Sequence, residues 1–280
     1  MNTFTVEIPG FTIGGKAFGN PDLPPMLALH GWLDNANSFN LLAPYLENYF
    51  YLLAIDLPGH GHSSHLPEGC YYHFSDGIFT TLAIIKALQL QQVHLLGHSM
   101  GACLASLIAG VAPEKILSLV LIEGLGPFSK PEETCCDQLA QYLNYTFGKE
   151  KEAKPYPSLR LAAQARAKRG YLSFEHAQIL CTRGTREEQG AIYWRHDRRL
   201  LTPTPLRMTE KQILSCLRNI TAKTCLIWGQ DSSVFNDYDM ETRTNAVTNL
   251  KVHCLPGGHH VHMEYPEAVA KCLQEFYEVK

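Results

Sequence analysis

Short, wholly apolar runs recur along this chain and alternate with longer stretches in which apolar and polar positions mix. Met26-Leu27-Ala28-Leu29, Leu52-Leu53-Ala54-Ile55, Val93 to Leu96, Leu119-Val120-Leu121-Ile122, Thr224 to Gly229 and Val252 to Leu255 are such runs. Apolar runs this short, without polar alternation, predict strands covered on both faces. Helical patterns lie between them: Ala102 to Val111 is one, and Phe39 to Leu46 is an amphipathic stretch behind the capping residues Asp34-Asn35-Ala36-Asn37. The alternation predicts an α/β protein with a mostly parallel β-sheet and helices on both faces. Residues 3 to 19, punctuated by Gly10, Gly14 and Gly15, read as an N-terminal β-hairpin at the sheet edge.

The rhythm stops after Ile122. From about Gly126 to Arg207 the chain is polar and helical in character, with Pro127 and Pro131 before it and Pro203 and Pro205 after it. The expected organisation is a core built from 1–125 and 208–280, with a helical insert over 126–207. Residues 149 to 211 carry fourteen Lys and Arg against seven Asp and Glu, a surplus of +7, so a chain with net charge −3 has −10 elsewhere. One reading of this surplus is steering of an anionic substrate toward a basic lid. The other is that Arg, Lys and Glu are good helix formers on solvated faces.

Composition narrows the class without naming a chemistry. A chain of 280 residues that is 45% hydrophobic can bury one large core and a small appendage. There is no apolar run long enough to span a membrane, no repeat, and no Lys/Arg block of the kind that grips nucleic acid. The segment Met1 to Val6 lacks the basic start and apolar core of a signal peptide. Nine cysteines, an odd number with no C-x-x-C spacing, fit a reducing compartment, so the expectation is a cytoplasmic protein without disulfides. Oligomeric state is not legible.

The chemistry is carried by Gly97-His98-Ser99-Met100-Gly101, set between the strand run ending at Leu96 and the helical run from Ala102. This is the G-x-S-x-G pattern of a nucleophile elbow, a sharp strand-to-helix turn that lifts a serine hydroxyl above the sheet edge. Glycines two positions either side of Ser99 avoid a collision between a Cβ and the neighbouring strand or helix. The N-terminal amides of the following helix point to where negative charge develops on an attacked carbonyl, which nominates the Met100 N–H as an oxyanion donor.

Three further segments follow in a telling order. His30-Gly31-Trp32 ends the first of the apolar runs. Asp56-Leu57-Pro58-Gly59-His60-Gly61-His62-Ser63 ends the second, and Pro256-Gly257-Gly258-His259-His260-Val261-His262-Met263-Glu264-Tyr265-Pro266 ends the last. Together with the elbow these resemble the α/β-hydrolase superfamily over most of the chain outside the insert. His30 to Phe39, with His259-x-x-His262-Met263, looks closest to its serine hydrolase-like branch.

That resemblance implies an α/β-hydrolase fold with a helical cap, a second oxyanion donor at the backbone N–H of Trp32, and a structural role for the Asp56 to Ser63 loop. It also implies the order nucleophile, acid, histidine. The family's histidine lies five residues before a Glu that is followed by x-Pro, which is His259 here; His260 is the alternative, and His262 is expected to pack or hydrogen-bond beneath the loop. Ser99 needs such a base because a serine hydroxyl is a weak nucleophile at neutral pH.

The acid stays open between two residues. Many members place it three positions after a glycine at the end of the penultimate strand; from Gly229 that position is Ser232, with Asp231 one residue early. A minority place it at the end of the preceding strand, where Glu123 stands, followed by Gly124-Leu125-Gly126-Pro127 as in the serine hydrolase-like pattern.

The expected function is a serine hydrolase acting on a small-molecule carboxylic ester or acyl substrate, with no cofactor and no metal. Competing classes are a ligand-binding member that keeps the pocket without catalysis, an acyltransferase using the same residues, and a metallohydrolase. The last rests on His60-Gly61-His62-Ser63-Ser64-His65, which approximates H-x-H-x-D-H but has Ser64 in place of the aspartate.

Overall fold

The computed structural model describes residues 2–148, 154–169 and 171–279. Its main sheet has eight strands: β1 (Asn2–Ile8), β2 (Phe11–Phe18), β3 (Pro25–Leu29), β4 (Tyr51–Ile55), β5 (Val93–His98), β6 (Ile116–Ile122), β9 (Lys223–Gly229) and β10 (Leu250–Leu255). The spatial order is β1-β2-β4-β3-β5-β6-β9-β10. The edge hairpin β1–β2 is antiparallel and pairs antiparallel with β4; all the other pairings are parallel.

Side-chain alternation within each buried run divides the core in two. Leu27, Leu29, Leu53, Ile55, Leu95, Leu119 and Leu121 face one layer, with Ile84 and Ile85 of α2 (Asp76–Ala87), Leu104 and Ile108 of α3 (Met100–Val111), and Ile213 and Leu217 of α7 (Glu210–Arg218). Met26, Ala28, Leu52, Ala54, Leu96, Val120 and Ile122 face the other. There they meet Phe39, Leu46 of α1 (Ala43–Leu46), and Leu273 and Phe276 of α10 (Pro266–Tyr277). Both faces of β3 to β6 and β9 are therefore dry, which is why their sequences read as continuous apolar runs, but the expectation fails for β10, an edge strand on which Val252 and Cys254 are exposed.

The region expected as one amphipathic helix from Phe39 to Leu46 divides into a 3₁₀ turn at Ala36–Phe39 and the short α1. Pro44 has no N–H to donate, so the chain re-enters helix only where proline suits the first turn.

Between β6 and α7 the chain leaves the sheet and forms α4 (Cys135–Thr146), α5 (Leu159–Arg169) and α6 (Phe174–Gly184), followed by a hairpin of β7 (Thr185–Glu188) and β8 (Ala191–Trp194). The insert reads from sequence as helical in character, and the structure adds this hairpin to its helices. Its turn, Gln189-Gly190, has positive φ at both residues, 51° and 77°, the geometry that matches strand twist in a two-residue hairpin. Gly190 before Ala-Ile-Tyr-Trp was the available signal. α5 and α6 share a small core of Ala163, Ala177 and Cys181.

The strand order reverses at β3, since β4 lies on one side of it and β5 on the other. Loops leaving β3 and β5 therefore diverge above the sheet, the crevice where open α/β sheets bind ligands. Two short helices complete the order, α8 (Met240–Asn245) and α9 (Val261–Glu264).

Candidate active site

Ser99 sits between β5 and α3 with φ 52° and ψ −116°, a strained conformation for a residue with a side chain. Its neighbours leave no slack. A Cβ on Gly97 would lie 2.4 Å from the Gly101 carbonyl oxygen, and one on Gly101 would lie 2.1 Å from that of Leu29. The elbow is thus pressed both onto its own helix and onto the end of β3. That second contact brings the His30–Asp34 loop beside Ser99. Met100 opens α3 and its N–H has no intrahelical acceptor. Neither this amide nor the Trp32 N–H meets a protein acceptor among the described residues.

Ser99 Oγ lies 2.8 Å from His259 Nε2, and His259 Nδ1 lies 3.0 Å from Glu123 Oε2. Because a carboxylate only accepts, the Nδ1–H must donate to Glu123, which leaves Nε2 with its lone pair toward the serine hydroxyl. Glu123 is fully buried at the end of β6, with φ 58°. Its remaining acceptor positions are used by the Gly229 N–H at 2.6 Å and the Ser232 hydroxyl at 2.5 Å. Asp231 lies apart: it is exposed, and its backbone N–H donates to the Gly257 carbonyl at 2.9 Å. Ser232, three positions after Gly229, is the residue of this loop that reaches Glu123.

The other histidines have different surroundings. His260 Nε2 donates to Asp34 Oδ2 at 3.2 Å, and His262 Nε2 lies 2.8 Å from Ser38 Oγ, buried beneath the loop. His60 is buried with its Nε2 accepting from the Leu33 N–H at 3.3 Å, whereas His65 Nε2 donates to the Arg195 carbonyl at 2.8 Å. The metal-like spacing around His60 thus has separate hydrogen-bond partners. Among the described residues the group with suitable metal spacing is Asp34, His98 and His260, whose donor atoms lie within 4.8 Å of one another. Arg166 already holds that carboxylate, with Nη2 2.7 Å from Asp34 Oδ1.

The insert rests on the core loops through polar contacts. Arg183 of α6 forks onto fully buried Asp56, with Nε 3.0 and 2.9 Å from the two oxygens and Nη2 at 2.7 Å. Asn37 Nδ2 donates to the Ile179 carbonyl at 2.9 Å, and the exposed Trp32 indole donates to the Leu200 carbonyl at 3.0 Å. Arg199 pairs with Asp197 within the insert itself. Arg166 and Arg183 thus meet core carboxylates, an arrangement that neither reading of the insert's surplus charge anticipated. None of these long-range pairs was legible in the sequence, because nothing local marks an arginine for an aspartate more than a hundred positions away.

Comparison with known proteins agrees with this architecture. The sequence profile described as the alpha/beta hydrolase fold matches residues 24–266. The chain belongs to the α/β-hydrolase family. Within it, the chain is 30% identical to a serine hydrolase-like protein of Danio rerio, over 98% of this chain and 88% of that one. It superposes with a TM-score of 0.93 on the crystal structure of a hypothetical protein from Pseudomonas aeruginosa PAO1, 34% identical over 99% of this chain and all of that one. A thioesterase domain from the curacin biosynthetic pathway is 31% identical with a TM-score of 0.84, over 98% of this chain and 99% of that one.

Proposed function

We propose that this protein is a serine hydrolase that cleaves carboxylic esters through an acyl-enzyme on Ser99. The observation that carries the reading is the unbroken chain from Ser99 Oγ through both nitrogens of His259 to Glu123, at 2.8 and 3.0 Å, with the serine held in a strained turn. In this reading Ser99 Oγ attacks the ester carbonyl as His259 Nε2 takes its proton, and Glu123 stabilises the imidazolium. The Trp32 and Met100 amides receive the negative oxygen of the tetrahedral intermediate. His259 returns the proton to the departing alcohol, and a water activated by the same ring releases the acid.

The insert serves as a lid, carrying Tyr171 with its ring centroid 6.3 Å from that of His259. A thioester would react through the same groups, and the name of the curacin domain supports including that class. No described helix is long and apolar enough to cross a membrane. All nine cysteines are free thiols, which supports placement in the cytoplasm.

The test is turnover on p-nitrophenyl esters of increasing chain length, with thioester and amide analogues, for wild type and Ser99→Ala. Ester or thioester hydrolysis that vanishes in the variant supports the reading. A folded wild-type protein that hydrolyses none of them overturns it in favour of ligand binding without catalysis.

A further inference from the structure

A second buried cluster lies against the reacting groups and takes no part in the proton chain. Asp34 is 3% exposed and belongs to the turn closed by its own N–H on the Gly31 carbonyl at 3.1 Å, the same turn that presents the Trp32 amide. Its carboxylate touches both loops that carry the proposed nucleophile and base. Oδ2 accepts from His260 Nε2 at 3.2 Å and lies 3.7 Å from His98 Nδ1. His98 immediately precedes Ser99, and its Nε2 donates to the backbone carbonyl of His259 at 2.8 Å. Oδ1 accepts from Arg166, which arrives from α5 of the insert.

The proton positions make this cluster dependent on Arg166. A backbone carbonyl only accepts, so the His98 proton is on Nε2 and the bare Nδ1 lone pair faces the carboxylate. Nδ1 is buried and has no hydrogen-bond partner. Burial, with His262, His260 and His259 crowded around it, pushes the His98 pKa well below its ordinary value, so the ring stays neutral beside an anion. Gly31 leaves room for the ring, since a Cβ there would lie 2.9 Å from Nδ1. What balances the carboxylate is the Arg166 guanidinium at 2.7 Å and the His260 N–H. Without Arg166, a buried anion would face a lone pair across the joint between three loops, at a cost large enough to move them.

We propose that Asp34 is a positioning residue that holds the Trp32, Ser99 and His259 segments in register, and that Arg166 is the counter-ion allowing it to do so only while the insert is seated. The insert and the reacting groups are then one coupled unit. The inference about rate rests on the serine hydrolase reading; the structural part does not.

The experiment compares full-length wild type with Asp34→Asn, Arg166→Gln, Arg166→Lys and the Asp34→Asn/Arg166→Gln double variant. The readouts are the rate of fluorophosphonate labelling of Ser99, the kcat and KM for an ester, and hydrogen exchange in peptides covering 29–36, 97–101 and 257–263. Asp34→Asn and Arg166→Gln should each slow labelling and kcat by about tenfold or more, with KM changed by less than about threefold. The double variant should be no slower than Asp34→Asn alone, because the two residues act as one pair. Arg166→Lys should recover most of the rate. Exchange should rise in all three segments together.

Exchange confined to 29–36, additive losses in the double variant, or a wild-type labelling rate in Asp34→Asn overturns the inference. Should Asp34→Asn fail to fold, Arg166→Gln decides alone by the same rate and exchange criteria. If wild type itself does not label, the hydrolase reading fails, and the exchange pattern still decides whether Asp34 couples the loops.

Discussion

Ser232 donates its hydroxyl to Glu123 at 2.5 Å across 109 positions of chain, tying the loop after β9 to the carboxylate that faces His259. β6 and β9 are adjacent parallel strands, and the loops leaving their ends lie side by side. The two side chains therefore meet at one point, Glu123 as the carboxylate and Ser232 as its donor. Glu123→Gln should lower kcat by at least about 10², since the amide disturbs the tautomer and the charge that His259 needs. Ser232→Ala should cost about tenfold, the worth of one hydrogen bond to a charged group. Asp231→Asn should stay within about tenfold of wild type. Steady-state ester kinetics on the three variants gives the ranking, and a larger loss in Asp231→Asn than in Glu123→Gln would return the acid to β9.

The elbow glycines make a stability prediction independent of activity. Gly101→Ala places a Cβ 2.1 Å from the Leu29 carbonyl oxygen, a backbone atom of a central strand that cannot swing away. Overpacking of this kind should destabilise the fold by about 3 kcal/mol. Urea unfolding measures it. A variant as stable as wild type would show that the elbow does not press on β3 as described.

Much of the fold was legible because strands buried on two faces leave runs such as Leu52 to Ile55 and Leu119 to Ile122, and an elbow leaves Gly-x-Ser-x-Gly. The proposed roles of Ser99 and His259 rest on local patterns of the same kind. Which carboxylate faces His259 was not legible, because Glu123 and Asp231 both stand just beyond strand ends, and only the tertiary structure shows that one points at His259 while the other is exposed. The β7–β8 hairpin was hidden by its charged first strand, Thr185-Arg-Glu-Glu, which has no apolar face to mark it. The insert's charge could be counted, but not its use: Arg166 and Arg183 meet Asp34 and Asp56 only after folding.

The Arg183–Asp56 pair should matter more for stability than a surface ion pair. Arg183 is 6% exposed and Asp56 fully buried. Asp56 also accepts from the Ala36 and His62 backbone amides, both at 2.8 Å. Arg183→Met would leave that carboxylate buried without its cation, with an expected loss of about 3–5 kcal/mol. Thermal or urea unfolding of the variant checks this, and a loss below about 1 kcal/mol would mean that the pair is worth no more than an exposed one.

Buried neutral histidines predict an acid limit to stability. Burial, with His30 close by, pulls His60 down to about 3, and His98 and His262 are also displaced well below their ordinary value by burial and by neighbouring imidazoles. Below the unfolded-state pKa of about 6.5, the unfolded chain takes up protons that the native protein refuses, so stability falls as pH falls. For His60 that loss continues until about pH 3, at about 1.4 kcal/mol per pH unit. The contribution is fully present above pH 6.5. Urea midpoints at pH 7 and pH 5 should show a marked drop, smaller in a folded His60→Gln variant. Equal midpoints would contradict the buried, uncharged assignment.

If Ser99 is the nucleophile activated by His259, a fluorophosphonate should bond to it covalently, and mass spectrometry of the adduct identifies the residue. One adduct per chain on Ser99 is expected, absent in a folded Ser99→Ala variant whose ester turnover has fallen by up to about 10⁶ and strongly slowed in His259→Ala. An adduct on another residue, or ester hydrolysis that survives Ser99→Ala and stops with a chelator, would contradict the account.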